Sequence, residues 1–116
     1  MLNEFLATRE EQNKAVLRNA DKVIKRIYSI DSLAYKAGAL TEKTKELLGL
    51  TASLVLRCDD CIAWHLHQCY KARVTTEEIT EALGIGMVVG GTITVPHVRR
   101  AMTLWEAFER DETFDK

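Results

Sequence analysis

Apolar side chains recur at the three- and four-residue spacing of an α-helix along most of this 116-residue chain, and that spacing predicts amphipathic helices. Hydroxyl and carboxylate residues that suit helix N-termini stand before several of these segments. One proline and six glycines leave little room for the turns of a β-rich fold. The only strand-like piece, TITV at 92–95, is expected to be a linker. The sequence therefore predicts an all-α fold, a helical bundle of about six helices.

The first third of the chain is predicted to form two helices. A capping box at 8–11, with a hydroxyl at its start and a carboxylate three residues later, opens a helix over about 8–28. A shorter helix follows, capped by Ser29 or Asp31 and closed by Gly38, a residue suited to the left-handed conformation that ends many helices.

Four more helices are predicted in the rest of the chain, over about 42–57, 59–73, 76–89 and from 96 onwards. Thr41 caps the third helix, whose segment LLGLTASLVL is apolar on nearly all sides and is expected to be central and buried. A capping box at 75–78 opens the fifth helix, and the Gly-Gly pair at 90–91 ends it. Pro96 suits the first position of the sixth helix, and the tail 111–116 is expected to fray.

The size and composition indicate one soluble domain over 1–116. The chain is too short for two ordinary domains, and its 47% apolar and 28% charged residues are typical of globular proteins. The N-terminal sequence lacks the cationic and apolar regions of a signal peptide, and the longest apolar run, 47–56, is too short to span a bilayer. We therefore expect a cytoplasmic protein with no membrane segment.

The charge distribution argues against nucleic acid as a partner. The net charge is −1, and no Lys/Arg cluster is interleaved with aromatic residues. A lone helical domain of this size buries a modest core, so association with further copies of the chain would bury more apolar surface.

The stretch CDDCIAWH, at 58–65, carries the residues most suited to chemistry. On a helix, Cys61 lies about 60° from Cys58, and His65 returns to within about 20° of Cys58. The three side chains therefore share one face, and the imidazole can reach the Cys61 thiol one turn before it. In a reducing compartment, two cysteines at this spacing are more often catalytic or metal-binding than a structural disulfide.

The position of both cysteines in the first turn of a helix favours their thiolate forms, because unpaired N–H groups and the positive end of the helix dipole lie there. Asp59 and Asp60 oppose this effect, since a carboxylate beside a thiol raises the thiol pKa. The two acids can be ordinary residues of a helix N-terminus, or they can tune the cysteine couple and repel anionic partners.

Cys69 completes a zinc-like series with Cys58, Cys61 and His65. One straight helix spreads these residues over about 16 Å, whereas zinc ligands converge within about 2.3 Å of one ion. Cys69 is therefore expected to be a buried, inert thiol. A metal held by the other three residues and a ligand from elsewhere stays open as an alternative.

Two residues outside the motif have ordinary explanations as well as functional ones. Glu46, twelve residues before the first cysteine, can approach the motif if the third and fourth helices pack together, but it can equally be a surface or salt-bridged residue. His97 stands next to Pro96 at a predicted helix start and is expected to cap that helix or to face solvent.

Glu46, Cys58, Cys61 and His65 together resemble the active-site signature of the alkylhydroperoxidase D-like branch of the carboxymuconolactone decarboxylase family. The flanking segments LTEKTKELLGLTAS and VTTEEITEALGIGMVVGG agree, so the resemblance covers about 33–109. It implies an all-helical protein that assembles as a homo-oligomer, a trimer or a hexamer. It also implies a thiol-dependent hydroperoxidase or disulfide reductase that uses a dithiol, thioredoxin-type or lipoyl-type electron donor, without a cofactor or metal.

By position, the resemblance implies that Cys61 is the peroxidatic cysteine that becomes a sulfenic acid, and that Cys58 is its proton donor and resolving partner. His65 and Glu46 match the family's proton relay. The redox members of the family carry a histidine directly before the second cysteine, where this chain has Asp60, so a shorter relay is expected. Family members that act as decarboxylases lack the cysteine pair, so decarboxylation is not expected. The alternatives are a non-catalytic redox-sensing or assembly protein of the same fold and a metal-binding helical protein.

Overall fold

The computed structural model describes residues 2–110, with only the backbone at residue 2. Six α-helices and a short 3-10 helix at Thr92–Thr94 form this part of the chain, which contains no strand. The α-helices are α1 (Leu2–Asn19), α2 (Lys22–Ala34), α3 (Glu42–Val55), α4 (Asp59–Lys71), α5 (Thr76–Gly90) and α6 (Val95–Arg110). The predicted all-α class is confirmed. The predicted frayed tail, 111–116, lies outside the described residues.

The chain divides into two compact units, one ending at Lys36 and the other beginning at Ala37. The single domain over 1–116 stays a prediction. Between residues 2 and 110, no helix combines the length and the apolar character that a membrane crossing requires.

The first unit contains α1 and α2, and here the predicted helix over 8–28 was wrong. The helix α1 ends at Asn19, and the side chain of Asp21 caps a new helix by accepting from the Ile24 N–H at 3.0 Å. Asp side chains bind nearby backbone N–H groups in non-helical conformations, which favours a break at this position over a continuous helix. The predicted capping box at 8–11 lies inside α1.

The predicted short helix with a cap at Ser29 or Asp31 is not separate, because both residues lie within α2. Tyr28 Oη donates to Asn13 Oδ1 at 2.9 Å and joins the two helices of this unit. No side chain of α2 is fully buried. Its exposed apolar residues nevertheless recur at helical spacing: Val23, Ile24, Ile27, Ile30 and Leu33.

The second unit packs α3 against α4 and α5, and α4 against α6. The predicted starts are confirmed: Thr41 caps α3, and Thr75 and Glu78 form both hydrogen bonds of a capping box at α5. These local signals explain why the predicted boundaries agree so closely with the structure. The largest side chains that are less than 2% exposed are Leu50, Leu54, Leu66, Cys69, Ile79, Leu83, Thr94, Trp105 and Phe108.

The sequence predicted that the apolar segment of α3 is buried on nearly all sides, but the structure buries it along one face only. Leu54 is fully buried, whereas Leu48 and Leu56 are 55% and 77% exposed. The buried face lies close to α5, because a Cβ atom at Gly86 would be only 2.7 Å from Leu54 Cδ2. This close approach holds α3, the helix that carries Glu46, against the rest of the unit.

Candidate functional site

A tight turn joins α3 to α4 and places the first cysteine of the motif. The N–H groups of Arg57 and Cys58 donate to the carbonyls of Leu54 and Ser53 at 2.9 and 3.1 Å. Arg57 has a φ of 58°, the left-handed conformation that such a Schellman turn requires. Cys58 closes this turn at the end of α3, and it is at the same time the N-cap of α4. No separate linker therefore lies between the two helices. The end of one helix therefore fixes the start of the next.

Cys58 and Cys61 form a disulfide in the first turn of α4, with their Cα atoms 5.3 Å apart. The Sγ atom of Cys58 also accepts from the Cys61 N–H at 3.2 Å, in the position of an ordinary N-cap oxygen. An N–H donor to a cysteine sulfur at the positive end of a helix is an arrangement that favours thiolate over thiol, and here the sulfur is that of Cys58. Cys61 is exposed and Cys58 is half-buried, so Cys61 is the more accessible residue of the two.

Glu46 and His65 form a buried pair that links α3 to α4. Their Oε1 and Nδ1 atoms are 2.8 Å apart, and only 12% and 11% of the two side chains is exposed. When Nδ1–H donates to the carboxylate, Nε2 is the ring nitrogen that can exchange a proton. His65 lies one helical turn after Cys61. The structure therefore joins the four predicted residues as two pairs, Glu46 with His65 between α3 and α4 and Cys58 with Cys61 at the start of α4.

Asp59, the residue after the N-cap cysteine, is bound by the first turns of α6. Its Oδ1 atom accepts from His97 Nδ1 at 2.6 Å, and its Oδ2 atom accepts from Arg100 Nε at 2.9 Å. Partial burial raises the pKa of Asp59, but the hydrogen bonds from His97 and Arg100 outweigh it and hold the pKa below its usual range. Asp60 lies on the same turn and is exposed.

The prediction for His97 was wrong, and the role of Arg100 was missed. The His97 side chain is only 17% exposed and binds Asp59 instead of solvent. The sequence does carry one weak signal, because His97 and Arg100 are three residues apart and so lie on one face of a helix. Their partner is 38 and 41 residues away along the chain, a distance at which no local pattern identifies a contact.

Cys69 lies in the core, as predicted. Its side chain is fully buried, and that burial, together with the carboxylates of Glu46 and Glu78, raises the pKa of its thiol to about 12. A thiol with such a pKa is protonated and unreactive at neutral pH. Across residues 2–110, no group of three or more His, Cys, Asp or Glu side chains is placed to hold a metal ion.

The sequence profile of the carboxymuconolactone decarboxylase family matches residues 22–104, a range that begins before the predicted 33–109. A crystal structure of a protein from Thermotoga maritima is similar to this chain, with 48% identity, a TM-score of 0.90 and coverage of 91% of this chain and 93% of that one. A second crystal structure shows the same Thermotoga protein, which is named there as a carboxymuconolactone decarboxylase family protein with a possible involvement in an antioxidative response.

Two more distant proteins are also similar. A family protein from Legionella pneumophila is 26% identical, with a TM-score of 0.85 over 94% of this chain and 97% of that one. An uncharacterised protein of Cupriavidus necator is 30% identical over 74 residues, which make up 64% of this chain and 66% of that protein, just under two thirds. The six-helix fold is thus shared with solved structures of the matched family.

Proposed function

This chain belongs to the carboxymuconolactone decarboxylase family, and we propose that it is a thiol-dependent hydroperoxidase or disulfide reductase of the alkylhydroperoxidase D-like branch. The observation that supports this most is the Cys58–Cys61 disulfide at a helix N-terminus, one turn before a histidine that a buried carboxylate binds. The antioxidative response suggested for the Thermotoga protein agrees with such an activity.

The proposed first step is attack of the Cys61 thiolate on a hydroperoxide. The sulfur bonds to one oxygen, the O–O bond breaks, and the second oxygen takes a proton and leaves as an alcohol or water. The sulfur is oxidised to a sulfenic acid and the peroxide is reduced. Cys61 is the assigned nucleophile because it is the more exposed cysteine and because the family resemblance gives the peroxidatic role to its position.

The proposed second step closes the disulfide. The Cys58 thiol gives up its proton, and its sulfur bonds to the sulfenic sulfur while the S–OH oxygen leaves as water. The Cα separation of 5.3 Å lies in the usual disulfide range, so the turn needs no large rearrangement. A dithiol, thioredoxin-type or lipoyl-type donor then reduces the pair and is itself oxidised to a disulfide.

His65 and Glu46 are proposed to move the protons of this cycle. The Glu46 carboxylate holds the ring with its proton on Nδ1, so that Nε2 accepts the thiol proton and returns it to the leaving oxygen. Asp60 stands where the redox members of the family carry a second histidine. The proposed relay is therefore shorter and consists of His65 and Glu46, without a second histidine.

Hydroperoxide consumption with a dithiol reductant tests this function. We expect Cys61→Ser to reduce turnover by at least about 100-fold, because the nucleophile is lost. Cys69→Ala is the matched control, since it removes a thiol that is fully buried and protonated at neutral pH, and turnover should stay within about twofold. Unchanged turnover in Cys61→Ser would refute the proposal.

The proposal includes a cytoplasmic location and a homo-oligomer, a trimer or a hexamer. A reducing compartment supplies the dithiol donors that the cycle needs. Each of the two units leaves apolar side chains more than half exposed: Val23, Ile27 and Ile30 in the first, and Ile85, Val88 and Val89 in the second. Exposed apolar patches of this kind mark protein interfaces.

A second candidate function is redox sensing or assembly without peroxide turnover. Asp60 favours this candidate, because it places a carboxylate directly before Cys61, where the redox members of the family have a histidine. In that case the Cys58–Cys61 disulfide would change the oligomer size or the affinity for a partner protein. Light scattering of the reduced and oxidised protein measures the first effect, and a pull-down under both conditions measures the second. No difference in either measurement would exclude this candidate.

A further inference from the structure

The turn that carries the two cysteines has an electrostatic conflict. A thiolate at the start of α4 gains from the helix N-terminus, but two carboxylates stand between the cysteines, and each of them disfavours the thiolate. Asp59 directly follows the N-cap residue Cys58. A functional thiol site with this sequence therefore needs something that offsets the acidic charge.

The structure provides such an offset for Asp59. Each carboxylate oxygen has its own partner: Oδ1 binds His97 Nδ1 at 2.6 Å, and Oδ2 binds Arg100 Nε at 2.9 Å. Both partners come from the start of α6, a helix that packs on α4. The Arg100 guanidinium carries a permanent positive charge. The N-terminal turn of α4 is thus fixed by hydrogen bonds that do not involve the disulfide.

We propose that His97 and Arg100 are positioning residues of the thiol site, which hold Asp59 and balance its charge so that the reduced cysteine pair keeps a reactive thiolate. This inference rests on the proposed redox role of Cys58 and Cys61. It explains how a motif with two acidic residues can support thiol chemistry, and it leaves the roles proposed for the cysteines, His65 and Glu46 as they are. It also assigns different roles to the two aspartates, since exposed Asp60 is not part of the contact with α6.

The inference predicts a loss of thiolate when the charge of Arg100 is removed. In Arg100→Gln, the Asp59 carboxylate is no longer balanced beside the cysteines, and the thiol pKa rises. We expect about three- to tenfold less thiolate at pH 7. Asp59 and Arg100 are 50% and 57% exposed, so the effect should shrink as salt screens the charges.

Alkylation of the reduced protein by iodoacetamide measures this effect, with thiolate absorbance against pH as a second readout. We expect Arg100→Gln to react about three- to tenfold more slowly at pH 7 and low salt. The matched control is Arg99→Gln, which removes the same charge from an exposed residue next to Arg100, and which should react within about twofold of wild type. Glu46, His65 and Asp60 are unchanged in every variant.

Two further variants separate charge balance from a loss of structure. Arg100→Lys keeps the positive charge and should react much more like wild type than Arg100→Gln does. In an Asp59→Asn background, Arg100→Gln should have little further effect, because its partner charge is already gone. The inference is overturned if Arg100→Gln reacts as fast as Arg99→Gln, if Arg100→Lys is as slow as Arg100→Gln, or if the Arg100→Gln effect persists without Asp59. Alkylation needs no peroxide, so a protein without peroxidase activity still gives a result.

Discussion

At the scale of single residues, the pairing of Glu46 explains why a carboxylate lies in a packed helix. An unpaired charge that is 12% exposed would cost several kcal/mol, and His65 meets that need from the next helix. The same hydrogen bond fixes the tautomer of the imidazole. An apolar pair of similar size would pack equally well and cost less, so packing alone does not account for this choice of residues.

Glu46→Gln tests whether the carboxylate acts on the chemistry. The amide keeps the shape and an oxygen that accepts from His65, but it removes the negative charge that stabilises a protonated imidazole. We expect the rate of peroxide reduction to fall by about 10- to 100-fold, with a change in its pH profile and little change in thermal unfolding. Stopped-flow measurement of the first turnover isolates the step in which Cys61 is oxidised.

The matched control for that substitution is Glu42→Gln, which removes an exposed carboxylate one turn earlier on α3. It should leave both the rate and the pH profile unchanged. Equal rates in the two variants would show that Glu46 only stabilises the fold.

The residues of the site differ in how far the sequence could reveal them. Cys61 and His65 share one helix, so the rotation of about 100° per residue fixes their relation in advance, and Cys58 is the N-cap of that helix. Glu46 lies on another helix, and only the family resemblance suggested its place. The contact of Asp59 with α6 had no such resemblance to indicate it, because the angle between two packed helices depends on side chains along their whole contact.

At the scale of the helices, the start of a helix was predicted correctly where only one nearby residue was a suitable N-cap. Thr41 caps α3 as predicted. In the first unit, Thr8, Asp21, Ser29 and Asp31 are all suitable caps, but only Asp21 caps a helix and the others lie inside α1 or α2. Local hydrogen-bonding preference does not rank such sites. The fold class was therefore more secure than the division of residues 2–34 into helices.

The contact between α3 and α5 makes a prediction about two neighbouring glycines. A Cβ atom at Gly86 would lie 2.7 Å from Leu54 Cδ2 and 3.4 Å from the Thr51 carbonyl oxygen, and Leu54 is fully buried. Gly86→Ala should therefore lower the free energy of unfolding by about 1–3 kcal/mol. Urea denaturation followed by circular dichroism measures this change.

Gly84→Ala is the control on the same helix, because a Cβ at that position would meet nothing within 4 Å apart from its chain neighbours and the nearby backbone of its own helix. It should raise the free energy of unfolding by about 0.5–1 kcal/mol through helix propensity. If Gly86→Ala stabilised the protein equally, the helices would not approach as closely as the structure places them.

At the scale of the whole molecule, burial is unevenly distributed along the chain. Within the described residues, every core side chain belongs to the second unit, starting at Leu50, and α2 buries none of its side chains. An amphipathic helix normally covers its apolar side. These uncovered faces are the physical reason to expect that further copies of the chain associate with it.

The outer face of α5 allows the proposed association to be tested. Ile85, Val88 and Val89 have the spacing of one helix face and are 61%, 85% and 68% exposed, on the side away from the core residues Ile79 and Leu83. A charge buried in an interface without a partner is strongly unfavourable. We therefore expect Val88→Glu to produce a smaller species than wild type in light scattering at the same concentration.

Thr80→Glu is the control for that experiment, since it adds the same charge at an exposed polar position of α5 and should keep the wild-type mass. A monomeric wild type, or a Val88→Glu protein of unchanged mass, would show that this face is not an interface. The dissociated variant should still alkylate at the wild-type rate, because the cysteine pair, the Glu46–His65 pair and the contacts of Asp59 all form within one chain. A large loss of thiol reactivity on dissociation would mean that a neighbouring copy helps to form the site.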